Sequence, residues 1–197
     1  MTVHVFVEGG GDQGRTLTAC RKAFRLFFEK ALGDSARPRI SACGSRDEAR
    51  KDFCRSLQHE PNTCAVLLVD CEDPVADGST PWGHLQRRDK WTSPVTVPPD
   101  QVHLMVQCME AWFLADRQAL SDYYGREFRT GALPRNPNPE QIPKRDLMEG
   151  LSRATGGTYH KTRHGFPILE RLDPAAVRAR CPHADALLNV LTARLRP

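Results

Sequence analysis

The run TCAVLLVD, residues 63 to 70, constrains the fold more than any other part of the chain. It is apolar almost throughout and ends in a carboxylate, Asp70. A strand that is apolar on both faces must be covered on both faces, which is typical of a parallel sheet between two layers of helices. Three further runs are predicted as strands: VHVFV (3–7), RISAC (39–43) and VHLMVQ (102–107).

Helical patterns alternate with these strands. After the first strand, apolar residues recur at the spacing of one helix face: Leu17, Cys20, Phe24, Phe27 and Ala31. After the second strand, Ser45 and Glu48 form a capping-box pattern that opens a helix to about Leu57. MEAWFLADRQALSDYY (109–124) is predicted as one helix after the fourth strand. This order predicts an α/β fold with a mostly parallel, Rossmann-like sheet flanked by helices.

The length of 197 residues fits one domain. We expect its sheet core in residues 1–72 and 101–125. Residues 73–100 hold five prolines and two tryptophans, so we expect an insertion or flap there. Residues 130–197 are expected to form a helical C-terminal part, with helices around 144–154 and 174–195.

Composition excludes several classes of protein. Seven cysteines without any Cys-x-x-Cys pair argue against a disulfide framework and a zinc ribbon, and favour a reducing cytoplasm. We expect no signal peptide, because no basic segment precedes an apolar run at the N-terminus. No stretch approaches the roughly 18 apolar residues of a membrane span, so no membrane partner is expected. The net charge of +4 is compatible with a nucleic acid partner.

Acidic residues follow three of the predicted strands. Glu8 ends the first, Asp70 ends the third with Glu72 and Asp73 directly after it, and Glu110 follows the fourth. The carboxyl ends of parallel strands share one edge of the sheet, so these side chains are expected to converge. Clustered carboxylates need a compensating cation, and their hard oxygen atoms suit Mg²⁺ or Mn²⁺. Such ions hold phosphodiesters and activate water for hydrolysis.

Three glycines follow Glu8 directly. Gly9 and Gly10 would let a phosphate or an ion approach the backbone beside Glu8, and Asp12 adds a further acid. The alternative is a dinucleotide fingerprint, G-x-G-x-x-G, with Ser45 and Arg46 suiting a 2′-phosphate. Against it, Glu8 would place a negative charge close to the pyrophosphate.

Four phrases together resemble a known kind of protein: VEGGGD (7–12), LLVDCED (67–73), MEAWFLAD (109–116) and YHKTRHGFPILERLDP (159–174). They are similar to an uncharacterised bacterial family of Toprim-like proteins, over nearly the whole chain. Toprim is the fold shared by topoisomerases, primases and the overcoming-lysogenization-defect nucleases. The resemblance implies a metal-dependent nuclease acting on DNA or RNA in a phage-defence or mobile-element setting. It also implies an ATPase partner of the ABC or AAA kind, and leaves a homo-oligomer open.

The resemblance also implies roles for individual residues. Glu8 matches the Toprim glutamate, a general acid/base or metal ligand. Asp70 and Glu72 occupy the Asp-x-Asp position, where Glu72 departs from the pattern, so Asp73 remains an alternative ligand. Glu110 would be a further metal ligand, and Lys161 a phosphate contact or transition-state stabiliser. The departure leaves open whether one or two metal ions bind. A second hypothesis is an effector module that acts only with its ATPase partner, docking through residues 73–100.

Overall fold

The computed structural model describes residues 2–33, 37–76 and 78–195, and its centre is a four-stranded sheet in the order β2-β1-β3-β4. The strands are β1 (Thr2–Gly10), β2 (Arg39–Gly44), β3 (Thr63–Asp70) and β4 (Val102–Met105). All three pairs of neighbouring strands are parallel. The predicted α/β class with a parallel, Rossmann-like sheet is therefore confirmed.

Helices cover both faces of the sheet. They are α1 (Gly14–Leu32), α2 (Arg46–His59), α3 (Pro81–Asp89), α4 (Glu110–Ala115), α5 (Arg117–Tyr124), α6 (Lys144–Ala154), α7 (Lys161–Leu169), α8 (Pro174–Arg180) and α9 (Pro182–Leu195). The capping box predicted for α2 is present, since the Ser45 hydroxyl accepts a hydrogen bond from the Glu48 N–H at 3.2 Å. No helix in the described ranges is long and apolar enough to cross a membrane.

The two faces of the sheet have separate cores. On one face, α1 and the helices after β4 bury a large cluster that includes Phe24, Phe27 and Trp112. The Trp112 ring stacks on Phe27, with ring centroids 5.3 Å apart. On the other face, Phe53 of α2 packs with β3 and β4. Burial on both sides explains why TCAVLLVD is apolar throughout.

The segment 73–100, expected as an insertion or flap, contributes to the second core. It contains α3, and Leu85 and Trp91 from this segment are buried against the sheet. Trp82 is half-buried and contacts Trp91, with ring centroids 6.3 Å apart. The segment therefore covers part of one sheet face, and little tryptophan surface is available for a partner.

Two of the helices predicted as continuous are interrupted. The helix expected over 109–124 breaks at Asp116, because its carboxylate accepts a hydrogen bond from the Ala119 N–H at 3.1 Å and caps a new helix. The helical stretch expected over 174–195 breaks before Pro182, which has no N–H with which to continue the helix. By contrast, the helix predicted around 144–154 is confirmed as α6.

Candidate metal centre

The carboxyl ends of β1 and β3 lie side by side at the centre of the sheet. From β1 the chain leaves first to β2 on one side and then to β3 on the other, so the strand order reverses between β1 and β3. Crevices at such a switch point are the usual ligand sites of parallel sheets. Glu8 and Asp70 flank this crevice, and the Asp70 backbone N–H donates to Glu8 Oε2 at 3.0 Å.

A β-bulge follows Glu8. Gly9 and Gly10 both lie opposite Gly44 of β2, so β1 continues two residues beyond Glu8 with an irregular register. Gly10 has a φ of +90°, and a Cβ there would lie 2.9 Å from the Leu17 Cα. Only glycine fits this close approach of β1 to α1.

Three carboxylates form the acid cluster: Glu8, Asp70 and Glu72. One oxygen from each lies within 4.8 Å of the others. Glu72 reaches the cluster from a left-handed backbone conformation, with a φ of +67°, which is uncommon for a residue with a side chain. Its N–H donates to the Gln107 carbonyl at 3.0 Å, and its carboxylate forms an ion pair with Lys144. Strain of this kind is concentrated at functional sites.

Asp70 is the most deeply buried member of the acid cluster, at 3 % exposure. Its Oδ1 accepts a hydrogen bond from the Met109 N–H at 2.9 Å, and its Oδ2 accepts one from Lys161 Nζ at 3.1 Å. Burial raises the pKa of Asp70 above its ordinary value, and the Lys161 ammonium opposes that rise. The phrase MEAWFLAD thus begins with a backbone donor that orients Asp70.

Glu8 and Lys161 have opposite charges and are both strongly perturbed. Burial, followed by the neighbouring Asp70 carboxylate, raises the pKa of Glu8 to about 7. Burial lowers the pKa of Lys161, but the carboxylates of Asp70 and Glu110 outweigh it and raise that pKa above its ordinary value. At neutral pH, Glu8 therefore exchanges protons readily, whereas Lys161 remains a cation.

Glu110, expected as a further ligand, is not one of the three residues of the acid cluster. It is fully buried, at 0 % exposure, so it is not a surface residue of its helix. Its Oε1 accepts a hydrogen bond from the Tyr159 hydroxyl at 2.8 Å, and its Oε2 lies 4.0 Å from Lys161 Nζ. Within the described residues Oε2 has no hydrogen-bond partner. Glu110 therefore lies behind Lys161 and contributes negative charge that holds its ammonium.

A cavity of about 240 Å³ opens beside the acid cluster. Glycine backbone forms one wall, and Lys161 and Thr162, at the start of α7, contribute to another. Its glycines are Gly9, Gly10, Gly11 and Gly44. The glycine backbone leaves room for a ligand to approach beside Glu8, as the sequence predicts. Asp12 is exposed and does not line this cavity.

The two residues left open as alternative ligands are placed differently. Glu72 belongs to the acid cluster, whereas Asp73 is exposed and accepts a hydrogen bond from Arg88 Nε at 2.8 Å. The Asp73 side chain is 62 % exposed. Of these two residues, only Glu72 is placed to share an ion with Glu8 and Asp70.

The dinucleotide alternative meets an electrostatic obstacle. A pyrophosphate against Gly9 and Gly11 would face the carboxylates of the acid cluster, which line or adjoin the same cavity. The residues suggested for a 2′-phosphate are also engaged. Ser45 caps α2, and Arg46 donates to the Asp70 carbonyl at 3.0 Å and pairs with Asp89 at 3.2 Å.

Three residues of this centre were not predicted to bond to its acids. Lys144 pairs with Glu72, Tyr159 bonds to Glu110, and Arg46 bonds to the Asp70 carbonyl. Each is an ordinary residue near a helix start, and only the packing of distant segments brings it to the site. Tyr159 lies two residues before α7, whose first residue is Lys161.

The donor set of the acid cluster fits a hard divalent cation. All three donors are carboxylate oxygens, without any thiolate or imidazole among them, which suits Mg²⁺ or Mn²⁺ and disfavours Zn²⁺. Two of the three residues are substantially buried, where unpaired negative charge is costly, so a cation would relieve their repulsion.

Comparison with known protein families gives a match over most of the chain. A family described as a domain of unknown function, DUF4276, matches residues 7–192. No match to the chain was found among curated proteins or among solved structures. The matched range includes every residue of the acid cluster together with Glu110 and Lys161. The chain belongs to the DUF4276 family.

Proposed function

We propose that this protein is a Toprim-type nuclease that hydrolyses phosphodiesters of DNA or RNA with the help of Mg²⁺ or Mn²⁺. One observation carries the proposal: Glu8, Asp70 and Glu72 offer oxygens within 4.8 Å of one another at the switch point of a parallel sheet. The glycine-lined cavity beside them and the net charge of +4 support a phosphate-bearing substrate.

Each residue of the centre has a different role in the proposed hydrolysis. Asp70 and Glu72 would hold the ion, and Glu8, whose oxygens lie beside theirs, would either share it or accept a proton from the attacking water. Lys161 neutralises charge on the transferring phosphoryl group from across the cavity. A divalent ion at the acid cluster would supply Lewis-acid chemistry, lowering the pKa of that water and stabilising charge on the leaving oxygen. Glu110 positions Lys161 and does not contact the substrate.

Metal binding can be tested without knowledge of the substrate. Thermal melting is measured in Mg²⁺, Mn²⁺ and EDTA for the unchanged protein, for Glu72→Gln and for Asp73→Asn. We expect the metal ions to raise the melting temperature of the unchanged protein and of Asp73→Asn, and to have little effect on Glu72→Gln. The two variants each neutralise one acid of the same loop, so they differ chiefly in membership of the acid cluster. An equal metal response in all three proteins would contradict the proposal.

Cleavage is tested with single-stranded and duplex DNA and RNA. Glu8→Gln should reduce the rate about 100-fold or more, because it removes the carboxylate that shares the ion or accepts the proton while leaving the side-chain shape intact. Circular dichroism checks that the variant is folded. A nuclease rate retained by folded Glu8→Gln would remove Glu8 from the mechanism.

A second candidate is an effector that becomes active only with an ATPase partner of the ABC or AAA kind. One observation favours it: each acid of the cluster already bonds within the protein, Asp70 to Lys161, Glu72 to Lys144 and Glu8 to a backbone N–H. An ion must compete with these partners, so a partner that shifts α7 or α6 would promote its binding. Adding an ATPase of that kind should then raise the cleavage rate about tenfold or more. An unchanged rate would argue for a self-sufficient enzyme.

A further inference from the structure

A second cavity, of about 350 Å³, lies at the same edge of the sheet, beyond β4. Its walls come from the segments directly after β3 and β4, from the loop 138–143 and from the start of α9. Apolar surface is provided by Val75, Val106, Pro143 and Pro182. Its volume is at the low end of the range found for small-molecule sites. No role in the proposed hydrolysis has been assigned to it above.

A histidine in this second cavity is held in one orientation. Glu140 is buried, at 5 % exposure, and its carboxylate accepts hydrogen bonds from both the backbone N–H and the ring Nδ1 of His183, at 3.1 and 2.8 Å. In the ring tautomer whose Nδ1–H donates to this carboxylate, Nε2 is an acceptor. The carboxylate–histidine pair therefore presents a fixed hydrogen-bond acceptor.

Two amide side chains of the second cavity have free donors. Gln107 is 2 % exposed, and its Oε1 accepts a hydrogen bond from the Lys144 N–H at 3.1 Å. Asn138 uses its Oδ1 to accept from the Glu140 N–H at 2.9 Å. With both oxygens engaged, the NH₂ groups are left to donate, and within the described ranges neither has a partner. Among the residues that the structure describes, no lysine or arginine lines this cavity.

The second cavity shares a wall with the acid cluster. The Gln107 side chain bonds to the backbone of Lys144, and the Lys144 ammonium pairs with Glu72. The Gln107 carbonyl also accepts the Glu72 N–H at 3.0 Å. A ligand in the second cavity would therefore be separated from the acid cluster by this one layer of residues.

We propose that the second cavity binds a keto nucleobase: uracil, thymine or guanine. Amide NH₂ groups from Gln107 and Asn138 match a base carbonyl, and His183 Nε2 matches the adjacent ring N–H. Adenine and cytosine place a ring nitrogen with a single lone pair beside their amino group. In these bases no one atom accepts from both amides while its neighbour donates to His183, so each base loses a hydrogen bond of this set. Valine and proline surfaces suit the faces of a flat ring. The assignment of this cavity to the base next to the cleaved phosphodiester rests on the proposed function. A free nucleoside would present the same hydrogen-bonding groups to the cavity.

The test uses nucleosides, because they contain no phosphate. Uridine, thymidine, guanosine, cytidine and adenosine are titrated in EDTA, and binding is followed by saturation-transfer NMR and by the side-chain amide signals of Gln107 and Asn138. We expect the three keto nucleosides to bind about tenfold more tightly than the other two, since each lost hydrogen bond is worth about that factor. Equal binding of adenosine and uridine, or no binding of any nucleoside at millimolar concentration, would overturn the proposal.

Variants locate the binding to the second cavity. His183→Ala should weaken uridine binding about tenfold, whereas the matched His59→Ala, at an exposed position at the end of α2, should not change it. Val75→Phe fills the cavity and should abolish binding without removing a polar group. Melting curves check that both variants are folded. Unchanged uridine binding in folded Val75→Phe would overturn the assignment.

Failure of the nuclease proposal is separable from failure of this one. Glu8→Gln should bind uridine as the unchanged protein does, because neither metal nor phosphodiester takes part. The source of the base is distinguished by comparing uridine with a single-stranded oligouridine in EDTA. If the oligouridine binds more tightly than uridine, and His183→Ala weakens that binding, the base comes from a polymer. If the oligouridine and uridine bind equally, the ligand is a free nucleoside. An oligomer that binds regardless of His183 and Val75 would contradict a base subsite.

Discussion

At the scale of single residues, burial of the acid cluster lowers the stability of the folded protein by an amount that depends on pH. The pKa of Glu8 is about 7 in the folded protein, against an ordinary value of 4.5. The folded state therefore retains a proton that the unfolded chain releases between these values. In the absence of metal, this group lowers stability as pH rises from about 4.5 to about 7, and its effect is constant above that.

Glu8→Gln should remove this contribution. In EDTA, we expect its melting temperature to exceed that of the unchanged protein by a margin that grows from about pH 5 to about pH 7. A gain of about 3 °C corresponds to roughly 1 kcal/mol in a chain of this size. Differential scanning fluorimetry across that pH range measures the margin. A margin independent of pH would show that Glu8 ionises in the folded protein as it does in the unfolded chain.

The Lys161–Asp70 pair should be energetically coupled. Lys161→Met leaves the Asp70 carboxylate without the cation that lies 3.1 Å from it, so this variant should lose stability. Asp70→Asn introduced alongside should restore part of the loss, because the buried Asp70 charge that Lys161 compensated is then removed as well. Urea unfolding of both single variants and the double variant should give a coupling energy of about 0.5–3 kcal/mol. Additive losses would indicate that solvent screens the half-exposed ammonium.

At the scale of elements, the contact between β1 and α1 depends on Gly10. Gly10→Ala places a Cβ 2.9 Å from the Leu17 Cα at a φ of +90°, and backbone atoms cannot yield as a flexible side chain does. We expect a loss of about 2 kcal/mol or more in the free energy of unfolding. Gly14→Ala is the matched control, because a Cβ there meets nothing within 4 Å. Equal stability of the two variants would contradict the packing described for the bulge.

Prediction from sequence succeeded for elements whose signal is local. The apolar run of β3 and the Ser45 cap of α2 depend on neighbouring residues only, and both were predicted correctly. The breaks at Asp116 and Pro182 were missed, although both residues can end a helix. Apolar periodicity continued across each break and outweighed the capping signal. The Asp116 carboxylate also accepts a hydrogen bond from the distant Asp173 N–H, at 2.8 Å, which no local pattern indicates.

In the candidate site, too, the features with a local sequence signal were predictable and those that depend on distant segments were not. Strand ends could be located from local pattern, so Glu8 and Asp70 could be expected near each other. The choice of Glu72 over Asp73 depends on a left-handed φ at Glu72 and on Lys144, 72 residues further along the chain. Glu110 was expected as a ligand because it follows a strand. Its position behind Lys161 depends on how α4 packs against α7, which the sequence pattern does not specify.

At the scale of the whole molecule, the C-terminal helices belong to the main core. α9 contacts β4, β1 and α1, and it buries Leu187, Leu188 and Leu191 in the same cluster as Phe24. A chain ending at Asp173 should therefore lack a cooperative melting transition and near-ultraviolet circular dichroism, because the α1 face of the sheet would be exposed. A sharp transition in that truncated chain would show that the helices after Asp173 form a separate unit.

The order in which the site residues occur along the chain has a consequence for biosynthesis. Glu8 and the N–H of Asp70 are 62 residues apart, and Asp70 and its lysine partner are separated by a further 91. A ribosome releases these parts one after another, so the acids emerge well before the cation that neutralises them. Until α7 has left the exit tunnel, no nascent chain holds a complete centre. If the proposed nuclease activity needs all of these residues, this delay would keep the unfinished chain inert beside the messenger RNA that encodes it.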